Sequence, residues 1–307
     1  MIERRETSLH ELTTVLDYIR WGTSRFNEAD LYYGHGTDNA WDEAVLLVTH
    51  ALHLPPYSKP EILQARLTME ERRDVLTILE RRFSERVPAA YLTKEAHFCD
   101  MTFYVDERVL VPRSPIGEMI RHNFQPWLNV EPLAILDLCC GSGCIGIACA
   151  EAFPEARVDV SDISEDAIEV AQININRHEL NERVRAVQSD LFSGLHGMSY
   201  ELIVCNPPYV DARDLAEMPK EYHAEPDIAL GSGDDGLDFT RRLLREAANH
   251  LQPDGLLICE VGNSWEALEK AFPEVPFMWP EFEDGGHGVF AISREELLAY
   301  QPYFEKE

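Results

Sequence analysis

Short apolar runs alternate with amphipathic stretches from about residue 131 to the end of the chain. The runs have the length and β-branched content of buried strands, and the stretches between them repeat apolar residues every three to four positions, as helices do. In order, the runs read LAILDLCC, ARVDVSDI, RVRAVQSD, ELIVC and GLLICEVG. Repeated strand–helix units predict an α/β fold with a mostly parallel sheet and helices on both faces. Two later segments, PFMWPEFE and GVFAISR, predict a final hairpin.

The first part of the chain lacks this alternation and is typical of helices. Thr37 or Asp38 is placed to cap a helix through WDEAVLLVTHAL, and Thr68 opens a capping-box pattern before MEERRDVLTILERRF. A β-like stretch follows over residues 97–111, and Ser114-Pro115 predicts another helix start. We expect a helical domain over 1–94, a linker of β-hairpin and helix over 95–130, and the α/β domain over 131–307.

The charge balance restricts the partners. The chain has 27 Lys and Arg against 55 Asp and Glu, a formal net charge of −28. Because binding to nucleic acid requires clustered Lys and Arg, we expect no direct nucleic-acid partner. A basic protein or a cationic ligand fits better, although acidity that only maintains solubility is equally compatible. The segment 210–236 is rich in acids and could contact such a protein, or could be a solvated loop.

The sequence disfavours secretion, a membrane span and a metal site. The N-terminal MIERRETSLH has no apolar core, and no apolar run approaches the ~18 residues of a membrane span, so we expect a cytoplasmic protein without a membrane partner. Cys139, Cys140, Cys144 and Cys149 lie close together but without C-x2-C spacing. We therefore expect packed free thiols and no metal site. The oligomeric state is left open.

Polar or glycine residues follow three successive strands, where an α/β sheet binds its ligands. After the first strand, Asp137 and Cys139 lead into Gly141 and Gly143, whose lack of a Cβ permits a tight turn against a ligand. The match to G-x-G-x-x-G, completed by Gly146, is weak evidence by itself.

The next two strands end in acids. Asp162, followed by Ile163, is placed to accept both hydroxyls of a ribose. Asp190 is placed to accept an adenine amino proton, and Leu191 or Phe192 to cover the ring. Several such features in succession predict an adenosine-containing cofactor.

The fourth strand ends in Asn206-Pro207-Pro208-Tyr209. Proline lacks the N–H that a sheet ladder needs, so the strand stops and a stiff corner follows. The corner holds one amide and one aromatic ring, which suits the clamping of a planar nitrogen group. The tetrapeptide alone does not distinguish a base from an amide.

These motifs together resemble the class I S-adenosylmethionine-dependent methyltransferases. DLCCGSG is similar to their glycine-loop motif, SDIS to the ribose motif, QSDLF to the adenine motif, and NPPY to the catalytic motif. The resemblance implies a Rossmann-like sheet and S-adenosylmethionine as cofactor. It also implies cofactor contacts from Asp137, Cys139, Gly141, Gly143, Asp162, Ile163, Asp190, Leu191 and Asn206.

The resemblance narrows to the protein N5-glutamine methyltransferases, whose N-terminal domain is helical. VDERVLVPRSPIGEMI is similar to their linker, and GTDNAWDEAVLLV, EPDIALGSGDDGLDF and ICEVGNS are closer to the branch acting on ribosomal protein L-three than to the release-factor branch. Two positions depart from the family pattern: Cys140 stands where Thr is common, and His287 where Asp is usual. The first should leave the loop intact, and the second leaves the role of the final hairpin open.

The family implies a mechanism of orientation without a metal. A glutamine amide is a poor nucleophile, because its lone pair is delocalised. Asn206 and the carbonyl of Pro207 would hold the amide N–H groups, Tyr209 would stack on the amide plane, and Pro208 would stiffen the corner. Arg113 and Glu118 could bind substrate, or pair with each other across a helix start.

Several alternatives remain. A DNA or rRNA exocyclic-amine methyltransferase also uses Asn-Pro-Pro-Tyr, but it needs a basic channel for an extruded base, and the net charge of −28 disfavours one. A release-factor methyltransferase is the sister activity. A non-catalytic adenosine-binding module would not need the clamp, and an NAD-dependent oxidoreductase would need a full dinucleotide loop.

Overall fold

The structure is a computed structural model that describes residues 8–55 and 59–306. These residues form two compact units. The helical unit contains the described residues up to Glu95 together with Pro219–Ala224, and the sheet unit contains Ala96–Met218 and Glu225 onward. The short segment 219–224 thus packs with helices that precede it by more than a hundred residues, which the sequence had not predicted.

The helical unit is built on helices with well-formed caps. Its helices are α1 (Val15–Glu28), α2 (Ala40–Ala51), α3 (Met69–Ser84) and α4 (Ala89–Thr93). The predicted capping box of α3 is confirmed, since Thr68 and Glu71 hold each other's backbone N–H. The predicted cap of α2 was wrong by one residue: Asn39 accepts from Asp42 N–H at 2.9 Å, while Thr37 donates to Glu43.

A buried ion cluster lies inside the helical unit. The guanidinium of Arg82 donates to Glu43 at 2.5 Å, and Glu221 accepts from Arg86 at 2.8 Å. Arg82, Glu43 and Glu221 are each at most 2% exposed. Burial alone would raise the pKa of Glu221, but hydrogen bonds from Tyr32 N–H and Arg86 hold that pKa below its ordinary value. The segment 219–224 is therefore pinned by charge as well as by packing.

The sheet unit alternates strands and helices, as the sequence predicted. A two-stranded sheet of β1 (Glu95–Phe98) and β2 (Met101–Tyr104) starts it and is followed by α5 (Ile116–Arg121). The remaining elements are β3 (Ala134–Leu138), α6 (Cys144–Ala152), β4 (Arg157–Asp162), α7 (Glu165–Arg177), β5 (Val184–Gln188), β6 (Tyr200–Cys205), α8 (Ala212–Glu217), α9 (Asp238–Glu246), β7 (Leu251–Glu260), α10 (Trp265–Ala271), β8 (Val289–Ser293) and α11 (Arg294–Phe304).

The six long strands form one sheet in the order β5-β4-β3-β6-β7-β8, parallel except for β8. From β3 the chain winds outward through β4 and β5, and then returns to β6 on the other side of β3. This reversal makes the β3/β6 boundary the switch point, beyond whose carboxyl edge a ligand crevice opens.

Helices cover both faces of the sheet because successive strand residues point to opposite sides. In β6, Leu202 and Val204 join the core beneath α5, α6 and α7. Ile203 and Cys205 join the opposite core beneath α9, α10 and α11. Both faces are buried, which explains why this strand is apolar throughout. Among the described residues, no helix is both long and apolar enough to cross a membrane.

Two strand predictions were wrong. The β-like stretch 97–111 ends as a strand at Tyr104, because the Asp106 side chain accepts Arg108 N–H at 3.1 Å and closes a local turn. The final hairpin is reduced to a single antiparallel bridge. Strand β8 instead pairs antiparallel with β7, and the segment before it contributes one bridge, Met278 to Ala291.

Helix α11 was missed by the sequence reasoning. Ser293 caps it, and Glu296 completes a capping box. The S-x-x-E spacing directly after the last strand was a usable signal for a helix start.

Candidate active site

A cavity of about 370 Å³ lies at the carboxyl edge of the sheet, within the sheet unit. Its volume is in the range of small-molecule sites. Eight predicted site residues line it: Cys139, Gly141, Asp162, Ile163, Asp190, Leu191, Asn206 and Pro208. Four others, Asp137, Gly143, Pro207 and Tyr209, are not among the lining residues.

The loop after β3 turns sharply at the cavity wall. Gly141 and Gly143 have φ of +52° and +77°, and even Cys139 has a φ of +57°. A Cβ at Gly141 would meet nothing within 4 Å, so its backbone conformation, and not a lack of space, requires glycine there. A left-handed Cys139 costs free energy that neighbouring contacts must offset, and such strain concentrates at functional sites.

Asp137 lies beneath this loop. Its side chain is 0% exposed, and Oδ2 accepts Gly146 N–H from the first turn of α6 at 2.8 Å. Oδ1 is buried without a hydrogen-bond partner among the described residues. Burial raises the pKa of this carboxyl to about 8, against the opposing effect of the Gly146 hydrogen bond. Asp137 therefore positions the loop from behind.

Asp162, the last residue of β4, hydrogen-bonds to the loop after β3 and to the loop after β4. Oδ2 accepts Gly141 N–H and Oδ1 accepts Ser164 N–H, both at 3.0 Å. Burial raises the pKa of Asp162, while backbone hydrogen bonds from Ser164, Gly141 and Ile163 counteract that effect. Each carboxylate oxygen can accept more than one hydrogen bond, so Asp162 keeps acceptor capacity for a ligand hydroxyl.

The loop after β5 contains an acid, Asp190, and a leucine with a positive φ, Leu191. Asp190 is exposed, and its Oδ1 accepts from Arg242 of α9 at 2.9 Å. Leu191 is 3% exposed with a φ of +50°. Ile163, on the preceding loop, leaves 50% of its surface exposed while lining the cavity. The cavity wall thus combines carboxylates with apolar surface.

The Asn-Pro-Pro-Tyr corner begins where β6 ends at Cys205. Asn206 and Pro208 line the cavity, whereas Pro207 is buried. The Asn206 Nδ2 donates to the carbonyl of Arg113 at 3.4 Å, a long hydrogen bond.

Tyr209 is held at several points. Its hydroxyl donates to Glu260 at 2.8 Å, and its carbonyl accepts from the Ser264 hydroxyl at 2.8 Å. Its ring lies against Gly262, where an added Cβ would be 2.4 Å from Cε2. His287 Nε2 lies 3.0 Å from Oδ1 of Asn263, the residue after Gly262. His287 is therefore near the Tyr209 ring.

The alternative in which Arg113 pairs with Glu118 was wrong. Arg113 forms two 2.6 Å hydrogen bonds with Glu225, whose side chain is 0% exposed. Glu118 instead accepts the N–H groups of Glu283 and Asp284 at 2.9 and 3.0 Å.

The segment after Glu225 forms a cavity wall that sequence reasoning missed. Its lining residues are Pro226, Ile228, Ala229, Gly231, Ser232, Gly233, Asp238 and Phe239. Val210, directly after the Asn-Pro-Pro-Tyr corner, is bonded to this wall. Its N–H donates to the Leu230 carbonyl at 2.8 Å, and its carbonyl accepts Ser232 N–H at 3.0 Å. Within this stretch, Asp235 pairs with Arg241 of α9. The many glycines of GSGDDG were the available signal.

The acids of segment 210–236 do not act as one exposed group. Glu221 and Glu225 are buried in ion pairs, and Asp211 caps α8. Glu217, Asp227 and Asp234 remain exposed.

The cysteines are all free thiols. Cys205 and Cys259 are buried on neighbouring strands, while Cys139 is half-buried at the cavity. Burial raises the pKa of Cys205 well above its ordinary value, so that thiol stays protonated at neutral pH.

The chain is similar in sequence to known methyltransferases. Residues 126–221 match the family model described as "Methyltransferase small domain". The chain is 46% identical over 306 residues to the ribosomal protein uL3 glutamine methyltransferase of Francisella tularensis, covering 99% of this chain and 98% of that protein. It is 50% identical over 290 residues to the protein of the same name from Neisseria gonorrhoeae, covering 94% and 97%.

Among solved structures, a methyltransferase from Pyrococcus furiosus is similar at a TM-score of 0.45 with 20% identity, covering 62% of this chain and 88% of that one.

Proposed function

The chain belongs to the family of the ribosomal protein uL3 glutamine methyltransferases, and we propose that it methylates the side-chain amide nitrogen of a glutamine in ribosomal protein uL3. It is an S-adenosylmethionine-dependent methyltransferase, and the cofactor supplies an electrophilic methyl group on a sulfonium. The protein residues bind and orient the two reactants.

The cavity suits this cofactor. Asp162 offers acceptor positions beside Ser161, whose hydroxyl is buried without a hydrogen-bond partner among the described residues. The half-exposed Ile163 and the cavity-lining Ile228, 58% exposed, offer apolar surface for an aromatic ring. We assign the ribose to Asp162 and the adenine to Asp190 and Leu191, with Cys139 and Gly141 contacting the chain that bears the sulfonium.

Two predicted cofactor contacts take indirect roles in this proposal. Gly143 lies outside the cavity lining and has a φ of +77° as the N-cap of α6. Asp137 holds the first turn of that helix through Gly146. We assign both to shaping the loop.

The main support for the proposal is the position of the Asn206 side chain. A planar amide at the carboxyl end of β6 lines the cofactor cavity beside the loop of β3. Asn206 Nδ2 is engaged by Arg113, so we assign Oδ1 as the acceptor for a substrate amide N–H. The carbonyl of Pro207 takes the other N–H, and two acceptors on one nitrogen stabilise the positive charge that develops there.

Tyr209 and Pro208 complete the clamp. Tyr209 is assigned to the face of the substrate amide, and Pro208 fixes the corner between the two side chains. Orientation of this kind supplies roughly 7–11 kcal/mol of barrier reduction. The methylated amide nitrogen is acidic and releases its proton readily, so the proposal includes no strong base.

The substrate is a basic protein in this proposal, in keeping with the net charge of −28. The exposed acids Glu217, Asp227 and Asp234 follow the catalytic corner in sequence and are the ones available for such a contact.

The test uses methyl-labelled S-adenosylmethionine with separately purified uL3, release factors, rRNA and DNA. We expect label in uL3, at a glutamine side chain located by mass spectrometry. A uL3 variant with that glutamine replaced by Glu is the matched control and should stay unlabelled. Label in release factor alone would assign the sister activity, and label in nucleic acid alone would overturn the proposal.

A further inference from the structure

Glu260 ends β7 beside the strand that carries the catalytic corner, since Cys205 and Cys259 are paired in register. It is 5% exposed. Its Oε1 accepts the Tyr209 hydroxyl at 2.8 Å and its Oε2 accepts the Ser114 hydroxyl at 2.6 Å. Burial raises the pKa of Glu260, and these two hydroxyls, with Arg113 nearby, favour the ionised form.

The two hydroxyls belong to different segments that meet at the site. Tyr209 is part of the catalytic corner. Ser114 also accepts Ile116 N–H at 3.1 Å, and it follows Arg113, whose carbonyl accepts from Asn206. One carboxylate therefore ties the corner to the loop that contacts the Asn206 side chain.

We propose that Glu260 is a positioning residue for methyl transfer, which acts by fixing the Tyr209 ring and the Arg113–Ser114 loop. The proposal rests on the proposed function. A buried carboxylate is costly unless its acceptors are used, and here both acceptors serve the site. Together with Gly262 against the ring and Ser264 on the carbonyl, the Glu260 bond holds the Tyr209 side chain in place.

The test compares Glu260→Gln, Tyr209→Phe and the double variant. Glutamine keeps the shape but provides only one acceptor oxygen. We expect kcat to fall about tenfold or more in Glu260→Gln, with the KM for uL3 and the cofactor Kd nearly unchanged. The double variant should lose no more than the worse single variant, because Glu260 and Tyr209 are in direct contact and act as one unit.

The matched control is Tyr200→Phe, whose hydroxyl donates to Asp159 at 2.8 Å outside the cavity. It removes the same type of bond and should leave kcat unchanged. A wild-type kcat in Glu260→Gln, or additive losses in the double variant, would overturn the inference. If wild-type protein methylated no uL3, the proposed function would fail separately.

A readout without substrate keeps the inference testable in that case. Hydrogen exchange over residues 209–212 should be faster in Glu260→Gln and in Tyr209→Phe, and unchanged in Tyr200→Phe. Unchanged exchange in Glu260→Gln would contradict the positioning role.

Discussion

Arg113 and Glu225 form a two-bond ion pair, at 2.6 Å for each bond, although 112 residues separate them in the sequence. Glu225 also accepts Val111 N–H at 3.0 Å, so its buried carboxylate has three donors. The pair fixes the start of the cavity wall formed by residues 226–239 to the loop that contacts Asn206. The cavity wall and the loop beside the Asn-Pro-Pro-Tyr corner therefore share one anchor.

Replacement of Arg113 by Lys should loosen this anchor, because an ammonium group cannot make two parallel hydrogen bonds to a carboxylate. We expect faster hydrogen exchange over residues 226–239 and weaker cofactor binding by calorimetry. Arg185→Lys is the matched control, since Arg185 makes two 2.9 Å bonds to Asp159 away from the cavity. Equal effects of the two variants on cofactor affinity would contradict the anchor role.

Asn206→Ala should lower turnover by about 100-fold or more, as does loss of one preorganised polar group at a reacting centre. Cofactor affinity should change only a few-fold, because ribose and adenine are assigned to other residues. Labelled methyl transfer and calorimetry measure the two quantities. Asn181→Ala, at an exposed position bonded to Gln172, is the control. Near-normal transfer in Asn206→Ala would exclude the proposed clamp.

Asp162→Asn should weaken cofactor binding. The variant loses a charged acceptor for hydroxyls, worth ~1.5–3 kcal/mol for each hydrogen bond, which corresponds to roughly 10–150-fold in Kd. The NH2 group of asparagine would also face Gly141 N–H or Ser164 N–H, and because it cannot accept a hydrogen bond, one of these two bonds would be lost. Asp166→Asn, in the exposed first turn of α7, is the control. A Kd within twofold of wild type would argue against the ribose assignment.

Asp137 should make stability depend on pH. Burial raises its folded-state pKa from 3.8 to about 8, so between these values the folded chain holds a proton that the unfolded chain has released. The resulting stability is complete below about pH 4 and is lost as the pH rises toward 8.

Asp137→Asn should therefore remove the loss of stability at higher pH, because asparagine does not ionise. The side-chain oxygen of asparagine can still accept Gly146 N–H. In thermal melts of the cofactor-free protein, the Tm difference between variant and wild type should grow from pH 5 to pH 8. An equal difference at both pH values would show that Asp137 ionises normally.

Glu221→Gln should destabilise the helical unit. Glu221 is 1% exposed, and its loss leaves the charge of Arg86 and part of that of Arg82 uncompensated. Breaking a buried pair from one side costs roughly 3 kcal/mol. The exposed pair of Arg81 and Glu85 provides the control, and Glu85→Gln should change the unfolding free energy by less than about 1 kcal/mol. Denaturant unfolding measures both, and similar effects would show that the buried cluster is not stabilising.

Local sequence determined the strands, most helix starts and the order of the strand-end motifs. Apolar runs define buried strands by themselves, and Thr68 and Ser164 act within three residues of their own helix starts. The positions of Asp162, Asp190 and Asn206 at the cavity also followed, because a parallel sheet brings its carboxyl ends to one edge. These features depend on residues that are close in the sequence, so they can be predicted from it.

Tertiary structure alone decided the long-range pairings. Arg113 has Glu118 nearby in sequence, yet it pairs with Glu225, and β8 takes β7 as its partner. Glu221 and Glu225 stand four residues apart in one acidic segment, but they belong to different compact units. Each outcome depends on which groups are buried together, since burial multiplies the free energy of an ion pair or a strand ladder that solvent would otherwise screen. That information lies in the packing of distant segments, and no local pattern carries it.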